Sequence, residues 1–432
     1  MNSAGFFRTV RVRRQSRRAA LTIVATLIWP AAMAAQQSEP PTPLSALIHE
    51  VEQRNPSIAA SRDAWQASTY APTQAGAMPG PELMVQQVAV GSPRPFAGFS
   101  NSDFAYIGVG VSQELLYPGK RALRAEAAGH DAEAARAESG SVQREVVEAV
   151  KLAYVQLAYL QQTLPIFDHH DRLLTQVEQI VESRYRVGQG SQQDVLKAQL
   201  QHTKILQAIA DRRQQEGMTQ ARLKQLLGRA QDTPDIVAEP LSLTPFPLSA
   251  AEVQQRTREQ NPDLEVRSAI VERERTQVAL AHKASRPDFA VQYMYQHTAS
   301  AFRDYYMGTF SVRLPNRAGS RAALAEAEER AQGAAQAMQA EVQRVLADAQ
   351  QQYVVLQGSR ERVTIYEDGL MPQAEATFQA AMTAYASNRE DFEAVLSSLA
   401  DALDVDLAYW QEVADHESAL ARLERLTGAV RP

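Results

Sequence analysis

The chain contains no cysteine. That removes disulfide staples, thiolate metal sites and a lipid-modified N-terminal cysteine from consideration. No apolar run reaches the roughly 20 residues that a transmembrane helix requires. There is no His-Glu-x-x-His motif and no phosphate-binding loop. Gly108-Val-Gly110 lies in an alternating stretch, without the third glycine or the following helix of a dinucleotide fingerprint. Asp168-His169-His170-Asp171 is the one cluster of metal-ligand type, but adjacent helical residues point about 100° apart and rarely converge on one ion. No metal site, no cofactor and no catalytic constellation is expected, and the chain does not read as an enzyme.

Residues 1–34 read as a secretory signal. Arg8, Arg11, Arg13, Arg14, Arg17 and Arg18 precede an apolar segment from Ala19 to Trp29, followed by a small-x-small cleavage site at Ala32-Met33-Ala34. Its removal takes away six arginines and no acid, and so carries the net charge from −6 to −12. An acidic mature chain is a poor nucleic-acid binder. Residues 35–43 form a Pro-rich linker.

What the sequence does have is one turn with long helical stretches on both sides: Tyr185-Arg-Val-Gly188-Gln-Gly190-Ser191-Gln-Gln-Asp194-Val195-Leu196. The two glycines can end a helix in left-handed backbone. Ser191 and Asp194 can open the next one as a capping box. A similar turn recurs at Tyr385-Ala-Ser-Asn388-Arg389-Glu390-Asp391-Phe392-Glu393-Ala394-Val395-Leu396. One such turn alone is equally an ordinary helical-hairpin turn.

The recurrence extends along most of the chain. Asn55-Pro56 matches Asn261-Pro262, and Pro81-Glu82-Leu83 matches Pro287-Asp288-Phe289, both at an offset of 206. Gly119-Lys-Arg121-Ala122 matches Gly319-Ser-Arg321-Ala322 at 200, and the two turns match at 200 as well. The offset changes across the loops 92–103 and 298–304. A self-match at fixed period predicts an internal two-fold repeat. Residues 44–228 and 248–428 are expected to be two copies of helix, β-hairpin and long helical hairpin, joined by a Pro-rich linker at 229–247.

The β-hairpins are expected at about 82–115 and 288–314. Ile107, Val109 and Val111 alternate with Gly108, Gly110 and Ser112. Phe289, Val291, Tyr293 and Tyr295 alternate with Ala290, Gln292 and Met294, and Phe310, Val312 and Leu314 alternate with Thr309, Ser311 and Arg313. Period two with one apolar face predicts a sheet wet on one side. Strands of about ten residues suit a tilted membrane span, and the aromatic content suits an interface girdle. A soluble hairpin packed on helices shows the same alternation. Four strands with open edges can lie in lipid only by closing with strands of other subunits.

The helical stretches are long. From Ala122 to Tyr185 is a span of about 96 Å if helical throughout. Pro165 is expected to kink or break it, and Pro372 to bend its counterpart. Val342, Ala349, Leu356, Val363 and Leu370 repeat every seventh residue, a coiled-coil pattern.

Signal, duplicated unit and paired tips together resemble the TolC family of outer-membrane efflux ducts, over essentially the whole mature chain. Gly110-Val-Ser112-Gln113-Glu-Leu115-Leu-Tyr-Pro118-Gly119-Lys120 and Glu424-Arg-Leu426-Thr-Gly428 look most like the heavy-metal branch that includes CzcC and CusC. The resemblance implies a homotrimer whose four strands per chain close a 12-stranded transmembrane β-barrel, continued by a long periplasmic α-helical barrel. It implies a periplasmic adaptor (membrane-fusion) protein and an inner-membrane pump of RND type as partners, and an outer-membrane exit duct as function. The adaptor-docking tips would be Tyr185, Gly188, Gly190, Asp194, Val195 and Leu196, with Tyr385, Asn388, Val395 and Leu396. The family's aperture aspartates fall on Ala394 and Ser397, and its gate arginine on Glu390. Arg389, Glu390, Asp391, Glu393 and Asp401 remain as charges for an aperture lining, or as a solvated helix end. The lipid-facing set would be Ile107, Val109, Val111, Phe289, Val291, Tyr293, Tyr295, Phe310, Val312 and Leu314. A duct for type I protein secretion, and a soluble periplasmic coiled-coil spacer, are the alternatives.

Overall fold

A computed structural model describes residues 40–89, 105–298 and 304–428. The expected signal segment, most of the linker after it and both outer strand loops lie outside these residues. The residues from Pro41 onward form one compact unit.

Each half begins with two helices meeting at Asn-Pro. Helix α1 (Leu44–Arg54) ends where Asn55 begins α2 (Pro56–Ser68). Proline at the first helical position has no N–H to leave unpaired. The Asn55 side chain accepts from the Ser57 and Ile58 amides and donates to the Leu226 carbonyl at 2.7 Å. In the second half α6 (Ala250–Gln260) meets α7 (Pro262–Ala284) in the same way, and Asn261 accepts from Asp263 and Leu264 while donating to Leu426 at 3.3 Å. Each asparagine therefore caps one helix and holds the far end of another. The halves then differ: Pro72 opens a separate short α3 (Ala71–Gly76), whereas α7 runs on unbroken.

One antiparallel sheet follows, in the order β1 (Glu82–Val88), β2 (Tyr106–Leu115), β3 (Asp288–Thr298) and β4 (Asp304–Arg313). The two hairpins are thus joined by β2–β3 pairing. The register sets Val85 opposite Val109, Val109 opposite Tyr295, and Tyr295 opposite Tyr306. Nine of the ten expected lipid-facing residues share one face by this register, and Leu314 lies one residue beyond β4. That face is exposed at Leu83, Val85, Val109, Val111, Val291, Tyr293, Phe310 and Val312. Phe289 and Phe310 stack on it, with ring centroids 5.8 Å apart. The opposite face carries Gly108, Gly110, Ser112, Gln292, Thr309 and Ser311. Gly110 is required there, since a Cβ would come within 2.9 Å of the Tyr293 carbonyl.

The base of the sheet is locked by Lys120. Its ammonium reaches both Asp288 carboxylate oxygens at 2.9 Å and the Arg286 carbonyl at 3.0 Å, and Asp288 also accepts from the Tyr117 amide. Gly119, at φ +87°, turns the chain out of β2 into α4 (Lys120–Arg186). Its expected counterpart Gly319 does not do this. It lies inside α8 (Arg317–Ile365), which Asn316 caps instead.

The long helices are α4 (67 residues), α5 (Gln192–Leu227), α8, α9 (Met371–Ala386) and α10 (Phe392–Thr427). Helix α4 is not broken at Pro165 but continues through it. Between α8 and α9 the chain makes a π turn over Tyr366–Leu370, in which the Met371 amide donates five residues back to Tyr366. This accommodates Pro372, which lacks an amide hydrogen. Gly228 and Gly428 end α5 and α10 at φ +68° and +69°. The linker between the halves is tied down by Gln220, Gln161 and Tyr154, whose side chains bond its backbone at 236–239. Where α4 crosses α10, Lys151 and Glu424 form a buried ion pair at 2.5 Å.

Two predictions follow from these packings. With the apolar face in lipid, a mid-membrane charge costs about 2–4 kcal/mol. Val312→Arg is therefore expected to cut recovery of folded protein in outer-membrane fractions far more than Ser311→Arg, and equal recovery would mean that the phase of the strands, or their place in the membrane, is wrong. Removing one partner of a buried pair strands the other charge, at about 3–5 kcal/mol. Lys151→Met should lower the thermal midpoint of detergent-purified protein, and adding Glu424→Leu should restore most of it.

Candidate functional site

The two helical-hairpin tips lie side by side. At the first, Gly188 takes φ +75°, the Gly188 amide donates to Tyr185 at 3.0 Å and the Gln189 amide to Arg184 at 2.8 Å. At the second, Asn388 takes φ +60°, its amide donates to Tyr385 at 3.0 Å and the Arg389 amide to Ala384 at 2.9 Å. The tips are the same turn, because asparagine tolerates the left-handed region better than other non-glycine residues. Gly190, expected to share this role, is not left-handed. It lies close to the preceding helix end, where a Cβ would crowd the Tyr185 amide nitrogen at 3.2 Å. Ser191 and Asp194 form the expected capping box on α5. Asp391 begins α10 with no side-chain cap.

Side chains that the sequence reading did not single out join the tips. The Arg184 guanidinium donates to the Tyr385 carbonyl and to Asn388 Oδ1, and lies 4.4 Å from the centre of the Tyr385 ring. Lys197 on α5 pairs with Glu393 on α10, and this hydrogen bond holds the Lys197 ammonium above its ordinary range. Burial raises the Tyr385 phenol, against the opposing charge of Arg184. Neither contact is readable locally, because each partner lies about 200 residues away.

Burial divides the expected docking residues. Tyr185 is 46% exposed and Leu196 57%, whereas Tyr385 is 5% and Val395 0%. Tyr385 and Val395 belong to the apolar core shared by α4, α5, α9 and α10, with Phe392, Leu399 and Val181, and so present no outward surface. Val195 and Leu396 are half-buried against that core. Gly188 and Asn388 line an open polar groove of about 930 Å³ between the tips, together with Gln189, Gln193, Ser387 and Glu390. The difference arises because the second hairpin packs its tip tyrosine inward under Arg184, while the first leaves its own outside.

Of the aperture candidates, Arg389, Glu390, Asp391, Glu393, Ser397 and Asp401 are exposed, and Ala394 is half-buried. Glu393, Ser397 and Asp401 recur every fourth residue and share one side of α10. Glu393 is paired with Lys197, and Arg389 bonds the nearby Ser387 hydroxyl at 2.9 Å. The His169 and His170 rings stand at 86°, His170 buried and His169 exposed, so they do not converge. His170 faces Asp406 on α10 at 3.5 Å. Among the described residues no three ligand-type side chains converge on a metal position. No described helix is long and apolar enough to cross a membrane, which says nothing of a barrel.

Residues 47–229 match the family model described as outer membrane efflux protein. A comparison with curated proteins found no match. Solved structures are similar over most of the chain. The outer membrane protein VceC from Vibrio cholerae is 18% identical, with TM-score 0.74, over 89% of this chain and 96% of its own. The outer-membrane channel OprN is 16% identical, with TM-score 0.76, over 89% of each chain. CusC, described through its transmembrane channel formation, is 16% identical with TM-score 0.76, over 89% of this chain and 91% of its own. At such identities the likeness is one of fold: the described residues have the fold of outer-membrane channels, a strand sheet continued by long helices, and their first half carries the match to the efflux family.

Proposed function

We propose that the chain is the outer-membrane exit duct of a tripartite efflux system. It works as a homotrimer and conducts its substrate passively. Twelve strands from three chains close the barrel, and the helices form a long periplasmic conduit whose tips meet a periplasmic adaptor joined to an inner-membrane pump of RND type. The observation that carries this reading is the sheet. Its apolar face is exposed along all four strands while the opposite face mixes small and polar residues with a few methionines, and β1 and β4 each have one unpaired edge among the described residues. A soluble periplasmic spacer would bury that face. The two-copy organisation supports a quasi-six-fold conduit from three chains, and rests on the paired Asn caps and tips.

Heavy-metal ions or drugs are the proposed substrates, on the likeness of the Pro118-Gly119-Lys120 and Glu424–Gly428 segments to the metal-efflux branch. Lys120 in that segment supports a structural rather than a substrate-binding role, because it is fully engaged with Asp288 and Arg286. A wide, water-filled conduit leaves substrate choice to the pump. For the adaptor, the proposed surface is the first tip and the groove between the tips: Tyr185, Gly188, Asp194, Leu196 and Asn388. The exposed acids Glu390, Asp391, Ser397-flanked Asp401 and the partly neutralised Glu393 are proposed to face the aperture.

The expected outcome of Leu196→Asp is loss of efflux with normal amounts of trimer in the outer membrane, because the tip lies tens of ångströms from the barrel at 1.5 Å per helical residue. Val395→Asp is expected to reduce the protein itself, since it places a charge in the tip core. Resistance, trimer yield and adaptor cross-linking measured in the same strains test this. Normal cross-linking and resistance in Leu196→Asp would remove the first tip from adaptor docking, and recovery as a soluble monomer would overturn the duct.

A further inference from the structure

The apolar packing of the long helices is not continuous. On the tip side, one core joins all four helices: Phe167, Leu174 and Val181 of α4, Ile205 of α5, Phe378 of α9 and Leu399 of α10. Nearer the sheet, separate cores hold Val150 and Leu157 with Leu223, and Val345 and Leu356 with Leu420. On α4 the change comes between Leu160 and Phe167, which is where Pro165 lies. On α8 and α9 it comes between Leu356 and Phe378, where the π turn and Pro372 lie.

These irregularities sit at one level. Pro165 is twenty residues before Tyr185, and the π turn begins nineteen before Tyr385, both about 30 Å from the tip at 1.5 Å per residue. Pro165 has no amide hydrogen to give the Gln161 carbonyl, so α4 lacks one rung there. No residue of the π turn is buried. Kinks and π turns are where long helices bend.

The apolar packing at this level is a small cluster, in which Trp410 and Ala414 of α10 meet Val155, Tyr159 and Leu160 of α4, and the contacts of α8 and the π turn with α10 include polar ones. The Tyr409 hydroxyl of α10 donates to Glu367 in the π turn at 2.6 Å, and Arg362 of α8 donates to Glu412 of α10 at 2.7 Å. Burial, and then the bond to Glu367, push the Tyr409 phenol up to about 12, so this clasp keeps its proton at physiological pH. Arg212 of α5 lies over Tyr159 on one side of Pro165 and Phe167 on the other, 5.5 and 5.7 Å from the ring centres.

We propose that this level is a built-in hinge. The tip segments of α4, α5, α9 and α10 move as one body about Pro165 and the π turn. The Tyr409–Glu367 and Arg362–Glu412 bonds hold one setting of it. Inside the tip body the larger apolar core, Arg184 and Lys197 resist separation of the two hairpins; across the hinge a smaller apolar cluster, the polar bonds and two weakened helices resist bending. The unbroken α5 and α10 follow by gentle curvature.

The absence of cysteine allows the test by spin labels at introduced cysteines, in detergent-purified protein diluted with unlabelled chain. Gln199→Cys with Gln351→Cys spans the hinge, and Gln199→Cys with Glu375→Cys lies within the tip body. The spanning pair is expected to give the broader distance distribution. Tyr409→Phe, which keeps the ring, should broaden it further, and Pro165→Ala with Pro372→Ala, which restores two amide donors, should narrow it. The tip pair should stay unchanged in every variant. Equal breadth for the two pairs in the parent chain, broadening of both together in Tyr409→Phe, or no narrowing in the double alanine variant would overturn the hinge. None of these readouts depends on efflux, so the duct reading stands or falls separately.

Discussion

A β-sheet cannot end in lipid. Each unpaired backbone amide or carbonyl there costs several kcal/mol, and no water is present to take its place. Among its described residues this chain supplies four strands, an exposed apolar face and two unpaired edges. In the proposed duct those edges close with other copies of the chain. On the opposite face β3 presses against Gly110, with the Tyr293 carbonyl 2.9 Å from where a Cβ would lie. Lys120 and Asp288 fix the angle at which helices leave the sheet, tying the exit of β2 to the entry of β3.

The helical part obeys the same rule of backbone satisfaction in a wet environment. Several helix ends are closed by specific groups: Asn55, Asn261, Asn316 and Ser191 at the starts of α2, α7, α8 and α5, and Gly228 and Gly428 at the finishes of α5 and α10. Asn55 and Asn261 also reach the last carbonyls of α5 and α10, so one residue type joins the entry and exit of each half. The cost of holding charge inside this packing is met by pairing, as with Lys151 and Glu424. Where a carboxylate is buried more than it is paired, as at Glu148, burial raises its titration instead.

The tips show how two turns of the same backbone form come to different surroundings. Both use the same backbone hydrogen bonds, yet Tyr185 faces solvent and Tyr385 lies under Arg184. One tip is thereby left with an exposed apolar edge, while the other is held from inside. A strong internal core with a weakly bonded level behind it makes the end of the molecule stiff in itself and compliant at its root.

By itself the sequence determined the elements and their chemistry. Period-two alternation marked which strand residues share a face, because side chains alternate strictly along a strand. Ser191-x-x-Asp194 and Asn55-Pro56 marked helix starts, because caps are local hydrogen bonds. The repeat marked the paired tips, although it misplaced Gly319, since α8 starts three residues earlier relative to α4 than the Gly-x-Arg-Ala match implies. Tertiary structure alone decided the rest. It carried α4 through Pro165, because packing on neighbouring helices outweighs one lost rung. It buried Tyr385 and Val395, and it paired Arg184 with Asn388 and Lys197 with Glu393. Those partners are about 200 residues apart, and only the folded chain brings them within reach of a hydrogen bond.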